Sequence, residues 1–422
     1  MRTLVSSLIS ILMLSLITVQ SVSAQIERRR DVNSTEFGYL VAPLPFRLEG
    51  VGTGLGIAAY FNNLAGTTAD VFGVGIVGDI TGLIVGTSDI PVFTEHLLFD
   101  AVNLYFSAGQ GKLYTKRGMD SDKKDFNVLE FGATNIVGTR ATLNFYKRML
   151  ELVFLRYEGS SVAKTIRNAD GDVISEFDSG TKNKFSLQNI GINIDYTDDR
   201  TDPRKGVRLN VKRADSPNSE SDSAKSFVMD YNLTGYIPVL SYSTLALNYF
   251  RSDAHVERKG EDNLDVLRKN SGITCPDEND IQSACYTSRE NLVRDTYFRN
   301  TKGTATSLGG NSRLRSFPEG RYSGAFSEFY ATELRWNLTD ERTPYDFFFT
   351  RDLRTGIQLA TFYETGSVAE SRSDLFKLSK SSYGLGIRLV TASGFIYRID
   401  VSNGDEGTGF IVFFDYPWGN VS

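Results

Sequence analysis

The sequence predicts an all-β protein, a transmembrane antiparallel β-barrel, and three observations carry that prediction. Aromatic residues make up 12% of the chain and glycine contributes 38 residues, a composition foreign to helical enzymes. Apolar and polar side chains alternate with a period of two over stretches of about 9 to 11 residues, the length that a tilted membrane strand needs. Connections alternate between tight turns and long polar loops, the rhythm of barrels whose short turns face the periplasm. A soluble β-sandwich also alternates, but strand length, aromatics at strand ends and this rhythm favour a barrel, which leaves no sheet edge unpaired in lipid.

The first element is a targeting segment. Arg2, the apolar run from Leu4 to Val19 and the small residues Val22, Ser23 and Ala24 form a signal peptide over 1–24, cleaved before Gln25. Residues 25–49 are expected to be a short periplasmic segment, enough for a tail and a partial plug. The barrel is expected over 50–418, with a tail at 419–422. Beyond the signal peptide no stretch reaches the ~20 apolar residues of a membrane helix.

Alternation is clearest toward the C-terminus. Phe227, Met229, Tyr231 and Leu233 share one face, while Asp230, Asn232 and Thr234 take the other. Tyr330, Thr332, Leu334 and Trp336 oppose Glu333 and Arg335, and Tyr397 and Ile399 oppose Arg398 and Asp400. Candidate strands fall at 50–62, 70–86, 96–108, 126–136, 138–148, 149–158, 186–197, 206–213, 226–238, 241–251, 325–338, 354–365, 381–391, 394–402 and 408–418. Another could lie within 70–118. The count should be even, sixteen with fourteen as the alternative. The polar face predicts a charged lumen of Arg208, Lys212, Asp230, Glu333, Arg335, Arg388, Arg398 and Asp400.

The longest connection, 252–324, is extracellular. It holds both cysteines, Cys275 and Cys285, ten residues apart in an oxidising compartment, where a disulfide is favoured over thiols or a metal site. It also holds Leu308-Gly309-Gly310, Leu314-Arg315-Ser316-Phe317 and Gly320-Arg321-Tyr322. This stretch resembles the loop signature of the BamA/TamA-type outer-membrane assembly superfamily, the bacterial surface antigen family, whose loop carries Val-Arg-Gly-Phe/Tyr. Ser316 stands where that family has glycine, and glycine tolerates backbone angles that serine does not.

Two other stretches resemble the same family. Asp198 to Gly206, with Asp199, Arg200, Asp202, Pro203 and Gly206, is similar to its periplasmic turn; Phe362 to Val368 is similar to its Phe-x-Asp-x-Gly strand, with Glu364 in the aspartate place and Gly366 matching. The resemblance implies that the loop folds into the barrel. Arg315 would reach inward to Glu364, with Glu333 nearby, and Phe317 would pack the tip against the wall. The last strand, Phe410, Val412, Phe414, Tyr416 and Trp418, resembles the aromatic signal read by the outer-membrane assembly machinery. As a plain membrane strand it would be a lipid-facing aromatic girdle.

Several functions are disfavoured. A net charge of −5 provides no basic footprint for nucleic acid. His96 and His255 are too far apart for a local metal motif, and no Gly-x-Ser-x-Gly elbow occurs. Gly73 to Gly78 matches a dinucleotide fingerprint by letters, but in strand-like sequence with no helix behind it. No catalytic constellation, cofactor or metal site is expected.

Two functions stay open. One is a barrel that inserts or translocates protein or lipid clients through a weak seam between first and last strands, with a separate periplasmic partner, since only 25–49 precedes the first predicted strand. The glycine-rich stretch Gly50 to Gly56 suits such a seam or a tightly curved strand. The other is a passive pore or structural surface protein. Either would sit in outer-membrane lipid and depend on the assembly machinery for its own insertion.

Overall fold

The computed structural model describes residues 37–177, 182–215, 224–240, 242–277, 279–339, 344–347, 350–391 and 396–418. The signal peptide and the tail at 419–422 lie outside them. Among the described residues there are eighteen strands in one antiparallel sheet: β1 (Gly38–Leu48), β2 (Gly52–Asn62), β3 (Asp70–Gly78), β4 (Thr81–Val92), β5 (Thr94–Tyr114), β6 (Phe126–Phe145), β7 (Leu150–Arg167), β8 (Val173–Glu176), β9 (Lys182–Thr197), β10 (Gly206–Asp215), β11 (Lys225–Leu240), β12 (Ser243–Arg258), β13 (Phe326–Asn337), β14 (Pro344–Phe347), β15 (Thr350–Ala369), β16 (Lys380–Thr391), β17 (Ile396–Gly404) and β18 (Gly407–Phe414). β8 and β14 are short hairpin partners of β7 and β15; the other sixteen form the ring, which β1 closes against β18.

Several predicted boundaries are corrected. β1 lies inside 25–49, so the barrel starts before Gly50. Its sequence, GYLVAPLPFRL, is apolar on both faces and carries Pro43 and Pro45, so it shows no polar alternation and reads as a non-strand. The candidate at 70–86 is two strands, β3 and β4, joined by the two-residue turn Asp79–Ile80. The candidates at 126–136 and 138–148 are the single strand β6, which ends at Phe145, before the positive-φ turn Tyr146–Arg148. Gly138 marks no break there: the Tyr157 ring covers it, leaving no room for a Cβ. β12 runs on to Arg258, beyond 251. The last strand stops at Phe414, and Asp415 turns the chain with φ 63°.

The outer surface is an apolar belt that includes Ile57, Val77, Trp336 and Leu385, all exposed, the surface that lipid requires. Inside, the two sides of the ring differ. Cross-strand register places Asp195, Arg208, Thr234, Asn248, Ala331, Glu364 and Ser382 opposite one another from β9 to β16, a polar wall. From β1 to β6 the corresponding row is Ala42, Ala58, Val74, Ile84, Leu104 and Ile136, apolar throughout. Above the polar side the connection 259–325 carries α1 (Leu264–Lys269) and α2 (Ala284–Lys302), joined by the Cys275–Cys285 disulfide.

Candidate functional site, a loop anchored in the lumen

After α2 the chain descends into the barrel and returns. Leu308 and Tyr322 pair as a bridge, closing a hairpin-like tip. Gly309 and Gly310 have φ 110° and 98°, angles that side chains avoid, and a Cβ on Gly310 would overlap the Glu319 carboxylate. The Gly310 N–H donates to the Phe317 carbonyl at 2.8 Å. Gly320, φ 68°, completes the turn in which the Arg321 N–H donates to the Pro318 carbonyl. Phe317 and Tyr322, both fully buried, meet edge to face at 5.3 Å. The aromatic pair is thus the core of the tip.

Arg315 is 0% exposed and ringed by three carboxylates. Its Nε and backbone N–H each donate to Glu364 at 2.8 Å, Nη1 to Asp400 at 2.9 Å and Nη2 to Glu333 at 3.0 Å. The Phe362 ring lies under the guanidinium at 3.4 Å. Burial works against its charge, but Glu364, Asp400 and Glu333 outweigh that and raise it above the usual arginine range. Arg335 and Arg388 donate to Glu333 at 2.8 and 2.7 Å, and Arg398 to Asp400 at 2.6 Å. Four guanidinium groups thus share three buried carboxylates. Charge-assisted forks of this kind hold a geometry firmly, because loss of one partner strands a buried charge.

Small residues let the loop approach the wall. A Cβ on Gly366 would press on Leu308, and one on Gly404 would overlap the Ser316 hydroxyl. Serine therefore fits at the family's glycine position because the facing strand residue is itself a glycine. The Ser316 N–H donates to Ser382 Oγ at 3.0 Å, and Ser402 Oγ donates to the Arg315 carbonyl at 2.8 Å.

The tip also touches both strands that close the ring. The Glu319 N–H donates to the Glu49 carbonyl in the β1–β2 turn at 2.8 Å. Arg321 donates to Glu406 in the β17–β18 turn at 2.6 Å, and to the side chain and carbonyl of Ser121 at 2.7 Å each. Arg313 differs from these arginines. It stacks on the Phe250 ring at 3.5 Å, its guanidinium has no hydrogen-bond or ion-pair partner among the described residues, and burial pushes it down to about 10.

The Asp198–Gly206 turn and the C-terminus meet. Asp199 accepts the N–H groups of Thr201 and Asp202 at 2.8 Å, Arg200 pairs with Glu151 at 2.6 Å, Pro203 is buried, and Gly206, φ 114°, opens β10. Tyr416 Oη lies 2.6 Å from Asp202 Oδ1 and 2.8 Å from Gln358 Oε1, its one proton directed between the two acceptors. Tyr416 and Trp418 are buried, with Tyr416 under Arg335 at 3.7 Å, so they are not part of a lipid-facing girdle. They leave the strand at Asp415 and turn inward. Phe410 faces outward near Arg47, and Val412 pairs with Arg47; Phe414 ends β18.

The structure brings Arg315, Phe317, Glu333, Glu364, Gly310, Gly320 and Gly366 together. Sequence reasoning missed Asp400, Arg335, Arg388 and Arg398 as parts of that cluster, and Arg321–Glu406. The i, i+2 pairs Glu333/Arg335 and Arg398/Asp400 are visible in sequence as charges on one face, but nothing local says which loop residue they meet.

No protein-family model and no curated protein matches the sequence. Solved structures similar in fold include BamA from Haemophilus ducreyi lacking POTRA domains 1–3, at 12% identity and TM-score 0.47 over 92% of this chain and 70% of that one. CdiB from Escherichia coli aligns at 13% identity and TM-score 0.46, covering 90% of this chain and 61% of its own. CdiB from Acinetobacter baumannii aligns at 11% and 0.47, covering 90% and 60%. The chain thus spans about three fifths of the CdiB chains.

Proposed function

We propose that this chain is a member of the BamA/TamA-type superfamily that sits in the outer membrane of a Gram-negative bacterium, after cleavage of Met1–Ala24, and assists insertion or translocation of proteins or lipids there. A periplasmic partner would deliver clients. The observation that carries this reading is the seam. Among the described residues β1 and β18 share a single paired position, Arg47 with Val412, whereas β1 pairs with β2 at every residue from Gly38 to Leu48. Because that ladder is unbroken, the missing N–H groups of Pro43 and Pro45 lie on the seam edge, where proline removes two donors.

The loop tip supports the same reading, since it grips Glu49 on one side of the seam and Glu406 on the other. The Arg315 cluster would hold the tip while the seam admits a client. The test reconstitutes the purified protein in liposomes with an unfolded outer-membrane barrel and follows folding yield, beside Arg315→Ala and an Arg47→Cys/Val412→Cys pair oxidised across the seam. Wild type should accelerate client folding, and both variants should not. No acceleration by wild type would sink the inserter reading for protein clients. Large, steady single-channel currents would instead favour a passive pore.

A further inference from the structure

The inner row Ala42, Ala58, Val74, Ile84, Leu104 and Ile136 is the feature that protein insertion leaves unexplained. Five of these side chains carry apolar groups into the lumen from β2 to β6, all half-buried, while their strand neighbours Ile57 and Val77 face outward and exposed. The anchored loop binds Glu333, Glu364, Ser382 and Asp400, on β13 to β17, and meets the β1–β6 side at Glu49 in the β1–β2 turn and at the Tyr114 ring, outside this row. An apolar lumen wall is unfavourable against water and favourable against hydrocarbon.

Its position says which hydrocarbon. The row ends on β1, whose outward residues Val41, Pro43 and Pro45 are also apolar. The β1 edge between Leu40 and Arg47 has no ladder to β18 among the described residues. An apolar path, crossed by the Tyr397 hydroxyl donating to the Pro45 carbonyl at 3.0 Å, therefore leads from the bilayer, past the seam edge, onto the inner wall. The chain's own N-terminal stretch is a poor occupant, since Gln25–Glu36 has Ile26 and Val32 as its only aliphatic side chains. Across the ring from β3 stands β12, where the unpartnered Arg313 guanidinium, 9% exposed, stacks on Phe250. A buried guanidinium with no ion-pair partner among the described residues, in the same lumen as an apolar row, suits an amphiphile with an anionic head.

We propose that the lumen takes an acyl chain of an anionic membrane lipid, lodged on the row from Ala42 to Ile136, with the headgroup phosphate at Arg313 and entry through the β1–β18 seam. This rests on the seam being an opening, as proposed above, and names the lipid as what passes it.

The described cysteines are both in the disulfide, so single reporters can be attached to the full-length protein at Ile84→Cys on the inner wall and Leu83→Cys on the outer wall. The labelled protein is reconstituted with phosphatidylglycerol carrying a doxyl group at mid-chain. The outer reporter should be quenched, and the inner reporter quenched comparably. Arg313→Gln should weaken inner quenching about tenfold in apparent affinity, Arg313→Lys should restore most of it, and neither should alter the outer signal. Variants are compared only when they run as folded barrels on unheated gels.

An inner reporter quenched by aqueous iodide and not by lipid would mean a water-filled wall and overturn the proposal. One quenched by neither would mean that the chain's own Gln25–Glu36 covers it, and would overturn the proposal equally. Equal inner quenching by doxyl-phosphatidylcholine, or in Arg313→Gln, would overturn the anionic headgroup. Since no protein client is present, failure here leaves the folding assay standing, and failure there leaves this result standing.

Discussion

The wall from β9 to β18 and the wall from β1 to β6 are built on the same pleat, yet they devote their inward positions to opposite chemistry. On the first, the inward positions carry most of the buried charges and amides, among them Asp195, Arg208, Asn248, Glu333, Glu364 and Asp400, and the descending loop satisfies the last three from inside. On the second, the row from Ala42 to Ile136 is apolar, with Asp70, Asp100 and Arg140 confined to one end of the same faces, glycine is frequent, and the closing edge carries two prolines. Inward facing is therefore no guide to polarity in this barrel. One side is tied together by buried ion pairs, and the other presents an apolar row and, among the described residues, shares one paired position with β18.

The strongest way to break the comparison is at the centre of the polar wall. Arg315→Ala leaves Glu333, Glu364 and Asp400 without their shared cation, and the folded barrel should lose about 3 to 5 kcal/mol, read as a lower urea midpoint for the unheated gel form. A loss under about 1 kcal/mol would place the pair among wet surface bridges and remove the contrast between the walls.

A smaller effect is expected at the seam, where Pro43→Val with Pro45→Val returns two donors to the edge. Each new hydrogen bond to β18 should add about 0.5 to 1.5 kcal/mol, seen as slower amide exchange in β18. Unchanged exchange would mean that the β1 edge does not face β18 as the register implies.

The smallest effect lies in the cap above the polar wall, which is solvated and so sharpens the contrast with the buried cluster. Arg268 pairs with Glu290 at 2.7 Å, and that hydrogen bond holds the Glu290 carboxyl below its ordinary value of 4.5. A depressed carboxylate contributes its stability above the unfolded value and loses it as pH falls through the lower folded value. The protection factors of the α2 amides, measured exchange divided into the intrinsic rate at each pH, should therefore be steady near neutrality and fall only below about pH 4.5, and Glu290→Gln should remove that step.

Most of the fold was legible wherever one face of a strand is polar, because a period of two assigns each side chain to a face without knowledge of its neighbours. β1 escaped detection for the same reason in reverse: with both faces apolar and prolines at alternate positions, it offers no period to read. The split of 70–86 was hidden because a two-residue turn between apolar strands leaves no polar stretch. Tyr416 and Trp418 continue the alternation of Phe410 and Val412 in sequence, and only the positive φ of Asp415 reverses them.

By itself, then, the sequence determined the sheet, its inward charges and the loop that carries Arg315, since these depend on short-range alternation and on a local motif. Tertiary structure alone decided that Asp400, 85 residues from Arg315, joins Glu364 and Glu333 around one guanidinium. It also decided that the Asp198–Gly206 turn meets Tyr416, and that an apolar row faces a polar one across the lumen. The physical reason is that periodicity says which way a side chain points, whereas ring closure and strand register, which couple residues far apart in the chain, decide what it meets.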